Sequence, residues 1–219
     1  MKHFLAAAGL LCLPAVALAQ ITPSRTVSRG DAAFTLGWLN GNKSDVTEDR
    51  YNDWYNRGVY GAGHIGWYWS DHHKTELEFG GSTAADLYTG RTIVVGSLQT
   101  FQSLELSFRT RRVAIGQQYQ FYRNAWFHPH VTGGADLIWE TTREDVTSAT
   151  TYDQVTRISR AVPPPPATGP HTKLRVQPFA EVGFKTYMTP RTFFRGDIRI
   201  TARDRFDQVL LRCGFGVDF

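Results

Sequence analysis

The last eleven residues, Val-Leu-Leu-Arg-Cys-Gly-Phe-Gly-Val-Asp-Phe, put an apolar side chain at every second position. Val209, Leu211, Cys213, Phe215, Val217 and Phe219 share one parity, and Arg212 and Asp218 fall between them. Successive side chains of a strand point to opposite faces, so this pattern predicts a strand with one apolar and one polar face. The rhythm recurs along most of the chain. It predicts strands over residues 32–39, 59–69, 75–83, 109–122, 130–140, 174–187, 192–202 and 209–219. No helical periodicity competes with it. No apolar run approaches the 18 or so residues that a spanning helix needs, so entry into a membrane would have to be by strands. A mean hydropathy of −0.32 does not argue against that, because half of each barrel strand faces a polar lumen.

The first 19 residues read differently. Lys2 supplies a positive start, residues 4–16 are apolar, and Ala17-Leu18-Ala19 is a small-residue cleavage signal before Gln20. A removed signal peptide is expected. Pro14 and the short length argue against a membrane helix, and Leu10-Leu11 before Cys12 is not a lipidation signal. Residues 20–219 then form one domain. Lys2 is the only charge lost, so 23 Lys+Arg face 20 Asp+Glu. These charges are dispersed, which excludes a nucleic-acid surface. Cys213 is alone in this portion, so no internal disulfide is expected.

The expected connections are uneven. The links near residues 70–74, 123–129, 188–191 and 203–208 are short, whereas residues 41–57, 84–108 and 141–173 are long. Long links at one end and tight turns at the other fit a barrel with periplasmic turns and extracellular loops. The polar faces carry Glu76, Glu78, Arg112, Asp136, Glu181, Lys185, Arg195, Asp197, Arg199, Arg212 and Asp218, both signs in quantity, as an interior charge network requires. The apolar faces carry Trp38, Trp67, Trp69, Tyr119, Phe121, Trp139 and Phe219 near strand ends, where membrane-interface aromatics belong. The expected fold is all-β: a single closed antiparallel up-and-down transmembrane β-barrel of eight strands. Residues 87–95 and 98–108 leave room for one further hairpin, either extending two strands above the membrane or raising the count to ten.

The ending at Phe219 resembles the C-terminal strand of bacterial outer-membrane proteins. The segment Tyr119-Gln-Phe-Tyr-Arg-Asn-Ala-Trp-Phe-His-Pro-His-Val-Thr-Gly-Gly-Ala-Asp-Leu resembles the small outer-membrane β-barrel domain family. Two positions depart from that family's pattern: His130 stands where an aromatic is usual, and Gly133-Gly134-Ala135 replaces Gly-x-Gly. The resemblance implies location in the bacterial outer membrane, contact with its lipid, and recognition by the barrel-assembly machinery through the last strand. It implies little about activity.

No chemistry stands out. His72-His73 and the pair His128 and His130 offer imidazoles near turns, but no cysteine or fixed carboxylate completes a metal set. Outer-membrane lipid A deacylases use a His-x-Ser pair. Here the nearest arrangement is His128-Pro129-His130 with Glu140, and the serine is missing. No catalytic residue, metal or cofactor is expected. Loop residues Tyr51, Trp54 and Tyr55 could form a binding surface for an unidentified surface ligand. Pro163-Pro164-Pro165-Pro166 reads as a stiffener of an exposed loop. The expected function is structural, envelope-integrity or surface-interaction, adhesive or ligand-capturing, with a lumen plugged by paired charges. A narrow solute channel is the alternative, with Gly61-Ala62-Gly63 and Gly133-Gly134-Ala135 as openings in the wall. A soluble exported β-barrel binder is the third reading.

Overall fold

The computed structural model describes residues 29–42, 58–122, 126–202 and 206–219. The expected signal peptide and loop residues Tyr51, Trp54 and Tyr55 lie outside them. Ten strands follow in chain order: β1 (Gly30–Gly41), β2 (Gly58–Tyr68), β3 (His73–Ser82), β4 (Ala85–Val95), β5 (Leu98–Gln120), β6 (Phe127–Asp153), β7 (Ile158–Val162), β8 (Thr168–Tyr187), β9 (Thr192–Ala202) and β10 (Phe206–Asp218). No helix occurs among the described residues.

Eight strands form a closed antiparallel ring in the order β1-β2-β3-β5-β6-β8-β9-β10. The seam closes where β1 pairs β10, from Asp31↔Asp218 to Gly41↔Gln208. Beyond the Asp31↔Asp218 pair, the Gly30 N–H donates to the Phe219 carbonyl at 3.0 Å and the Phe219 N–H donates to the Gly30 carbonyl at 2.9 Å. Both ends of the ring's chain therefore sit at one rim, the terminal rim.

The two remaining strands lengthen the ring. β3 pairs Arg111–Tyr119 of β5, and β4 pairs Leu98–Phe108 of the same strand. Thus β3 and β4 lie on one line, broken at Thr83-Ala84. On the other side β8 and β7 share one line along β6, broken over residues 163–167. The four prolines stand in that break, because proline has no N–H to donate to a ladder. Between these two broken lines, β5 and β6 run unbroken far past the rim. The residues of β6 from 141 to 153 alone span about 40 Å.

This corrects two expectations. Residues 84–108 and 141–173 are mostly strand rather than loop. Past the buried residues Ala85, Leu87, Leu104, Leu106 and Phe108, both faces of the sheet largely meet solvent, so polar residues occupy both parities and the alternation fades. The β-propensity of Thr141, Thr142, Thr147, Thr150 and Thr151 and the pairing itself hold the strands there. Cross-strand contacts add to it: Tyr88 donates to Glu105 at 3.0 Å, and Arg91 pairs with Glu144 at 3.0 Å. The extra hairpin forms, but above the ring, and the count stays at eight.

The outer wall is apolar. Phe34, Leu36, Ile65, Phe79, Ile115, Val176, Val182, Ile198, Leu211 and Phe215 all point outward and are exposed, and Cys213 is exposed among them. Phe127, Phe184, Phe194 and Phe215 form a row of rings across four strands, with centroids 5.6, 6.0 and 5.4 Å apart. The interior is tightly filled. Gly134 illustrates how: a Cβ there would lie 2.1 Å from the Ile115 carbonyl oxygen and 2.8 Å from the Phe179 ring, which also rests against Gly116. The expected wall opening at Gly134 is therefore a seat for an inward phenyl ring. Far from the terminal rim, Leu39, Tyr60, Ala62, Ala85, Leu87, Leu106, Phe108 and Leu210 pack into a buried apolar cap.

Candidate functional site in the barrel lumen

Strand parity aims one side chain in two at the axis, and here those side chains are mostly ionic. Glu76, Glu78, Arg112, Asp136, Glu181, Lys185, Arg195, Asp197, Arg199 and Arg212 are all buried, as are Asp31, Lys74, Glu140 and Asp218. Among the described residues this gives eight buried carboxylates and six buried cations, with the less buried Arg175 pairing Glu140 at 2.8 Å as a seventh.

The central layer is held by three arginines. Arg195 donates from Nη1 to Glu76 Oε2 at 2.7 Å, from Nη2 to Glu181 Oε1 at 2.7 Å, and from Nε to Asp197 Oδ2 at 2.8 Å. Arg212 reaches Glu78 and Glu181 through Nη1 and Nη2 and Asp197 through Nε, each at 2.6 Å. Arg199 reaches Glu181 at 2.9 Å, Asp136 at 3.1 Å and Glu78 at 2.5 Å. Above them Arg112 holds Asp136 at 3.0 Å and donates to Gln208. Planar guanidinium groups suit this task, since each has five donors in a fixed fork.

A second layer lies near the terminal rim. The Lys185 ammonium donates to Asp31 at 3.0 Å, to the Tyr68 hydroxyl at 2.9 Å and to Asp218 at 2.6 Å. It also stands 3.7 Å from the centroid of the Phe193 ring. Lys74 bridges Asp31 at 3.0 Å and Glu76 at 2.7 Å, which joins the two layers.

These contacts cross the lumen. In ring order β3 stands opposite β9, and β5 opposite β10. Arg195–Glu76 and Arg199–Glu78 link the first pair of walls, and Arg112–Gln208 links the second. Removing one partner of such a pair leaves a buried charge uncompensated, at a cost of about 3–5 kcal/mol.

The histidines are placed differently from one another. His72 and His73 pack on Tyr119 outside the wall, with centroids 5.7 and 5.2 Å away. His128 and His130 are buried inside, on the same strand. No three His, Cys, Asp or Glu side chains converge to hold a metal among the described residues. One arrangement that sequence spacing did not suggest joins Thr35, His64 and Glu76: Thr35 Oγ1 lies 2.8 Å from His64 Nε2, and Nδ1 lies 3.1 Å from Glu76. It has the order of a nucleophile, base and acid. Thr35 is fully buried, however, and Glu76 is already bound by Lys74 and Arg195, so no substrate reaches the hydroxyl. Asp31 and Lys74 were missed because they sit at strand starts, beyond the expected strand limits. The parity of Glu76 would have assigned Lys74 to the interior.

The aromatic side chains Trp38, Trp67, Trp69, Tyr119, Phe121 and Phe219 are exposed on the outer wall, and Trp139 is half-buried there. Trp67, Trp69, Tyr119, Phe121 and Phe219 lie toward the terminal rim, and Trp38 and Trp139 toward the other.

No protein-family model matches the chain, and no curated protein sequence matches it. Solved structures do. The outer membrane protein OprG from Pseudomonas aeruginosa aligns with a TM-score of 0.51 at 12% identity, covering 90% of this chain and 99% of that one. Neisserial surface protein A aligns with a TM-score of 0.50 at 10% identity, covering 88% and 98%. The class of fold is therefore a closed, antiparallel, up-and-down β-barrel with its apolar face outward. Within that class its eight-stranded ring matches the fold of these outer-membrane barrels.

Proposed function

We propose that this chain is exported, loses residues 1–19 as a signal peptide, and resides in the bacterial outer membrane. There it acts as a closed barrel that presents the sheet β4-β5-β6-β7 outside the cell, in a structural or surface-interaction role without catalysis. Its lumen is a structural plug. The observation that carries this reading is the set of ionic bonds between opposite walls, Arg195–Glu76 and Arg199–Glu78, with the apolar cap stacked above them. A solute moving along the axis would have to break several charge-assisted bonds and then open a packed apolar layer. The exposed aromatic and aliphatic wall supports lipid as the surrounding medium, since an apolar surface that encircles the barrel matches the outward band of a membrane barrel. The paired Gly30 and Phe219 at the seam support the last strand as the one presented to the barrel-assembly machinery.

Planar-bilayer recording of refolded protein tests the plug. No discrete conductance steps are expected, and reproducible steps would overturn it in favour of a narrow channel. Cell fractionation and N-terminal sequencing test the location. The protein should need detergent for release and begin at Gln20; recovery in the soluble fraction would favour the exported binder instead.

A further inference from the structure

We infer that the outer wall carries a binding site for a phosphorylated lipid headgroup, formed by Arg109 and Arg111 on β5 above Trp139 on β6. This rests on the outer-membrane reading. Among the described outward residues of the ring, the wall stays uncharged up to this level: Phe79, Val113, Ile115, Leu137, Leu174 and Val176 line it. Arg111 is then the first charge, in register with Trp139, and Arg109 follows two residues on, on the same face. Both are exposed, and neither has an ion pair or side-chain hydrogen bond among the described residues. Arg143 lies diagonal to Arg109 but is engaged by Asp145 at 2.9 Å.

Two free guanidinium groups are thus placed where the apolar wall ends and the solvated extension begins. A ligand that satisfies both regions is amphiphilic: acyl chains lie on the wall and an anion meets the arginines. Phosphate fits because guanidinium binds its oxygens in bidentate fashion. Cations at the membrane surface attract anionic lipid. The indole of Trp139 suits the same interfacial level. A peptide or free sugar would leave the wall below unused.

Native mass spectrometry of refolded full chain in detergent tests the site, with phosphatidic acid, phosphatidylcholine and inorganic phosphate as separate probes. Phosphatidic acid should be retained in preference to phosphatidylcholine, and R109Q/R111Q should bind it about tenfold more weakly. The variant R157Q/R160Q, altered at the far tip of the extension, should retain it as the parent does. R109K/R111K should lose part of the affinity, because lysine keeps the charge but not the fork. Equal retention of both lipids, or equal loss in the rim and tip variants, would overturn the inference. Displacement of the lipid by an equal concentration of inorganic phosphate would assign the arginines to a free anion and overturn the lipid as occupant. Insertion of the parent protein into phosphatidylcholine vesicles is read separately by circular dichroism. Failure to insert sinks the membrane reading and the inference with it, whereas insertion without lipid preference sinks the inference alone.

Discussion

Arg199 on β9 reaches across the lumen to Glu78 on β3, the strand opposite in the ring, with Nη2 2.5 Å from Oε2. Glu78 also takes the Arg212 guanidinium at 2.6 Å and the Tyr60 hydroxyl at 2.7 Å. One carboxylate therefore ties β2, β3, β9 and β10 together. Glu78→Gln keeps the shape and leaves two guanidinium groups undercompensated. The expected loss is about 3–5 kcal/mol of folding stability, read from urea-dependent unfolding in lipid vesicles. A change below about 1 kcal/mol would mean that water, not Glu78, satisfies those arginines.

Phe179 tests the packing beneath the charges. Its ring sits against Gly116 and Gly134, and the Arg199 guanidinium lies 3.9 Å from its centroid. Phe179→Ala should cost about 3–5 kcal/mol through the cavity it leaves. Gly134→Ala should also destabilise, because its Cβ meets backbone and cannot be accommodated by turning a side chain. The same unfolding measurement reads both, and wild-type stability in G134A would contradict the close approach.

Cys213 is a reporter for the outer wall. It is exposed in the row that holds Leu211 and Phe215. In vesicles the thiol should react with an apolar maleimide and resist a charged, impermeant one; in detergent-free denaturant both should react. Rapid labelling by the charged reagent in vesicles would place this face in water.

The tip of the extension should respond to acid. Asp153 accepts the Val155 N–H at 3.0 Å and the Thr156 hydroxyl at 2.8 Å, and these donors hold its carboxyl below the usual carboxylate range. A depressed folded value means the turn is stabilised by ionised Asp153 above the unfolded carboxylate pKa. That stabilisation is lost as pH falls through the folded value. Amide exchange at Val155 and Thr156 should therefore rise, relative to neighbouring tip amides, in the acid range below about pH 4. Asp153→Asn should remove this pH response while leaving the barrel intact. An unchanged response in D153N would assign it to another group.

The sequence by itself determined which residues within each expected strand share a face. Period-two parity needs no knowledge of partners, so Arg212 and Asp218 were legible as one face and Leu211, Cys213 and Phe215 as the other. It also determined that the ends of the apolar faces are aromatic. Strand lengths beyond the ring were not legible, because past Leu87 of β4 and Leu104 of β5 both faces of the sheet largely meet water, and the contrast that parity depends on fades. The apolar cap was hidden because it is assembled between strands: Leu87, Leu106 and Phe108 look like loop residues until strand pairing brings them into one cluster with Leu39 and Leu210. Only the tertiary structure decided which charges meet. Arg199 and Glu78 are 121 residues apart in the chain. They are joined by the closure and curvature of the ring, a long-range geometry that no local spacing encodes.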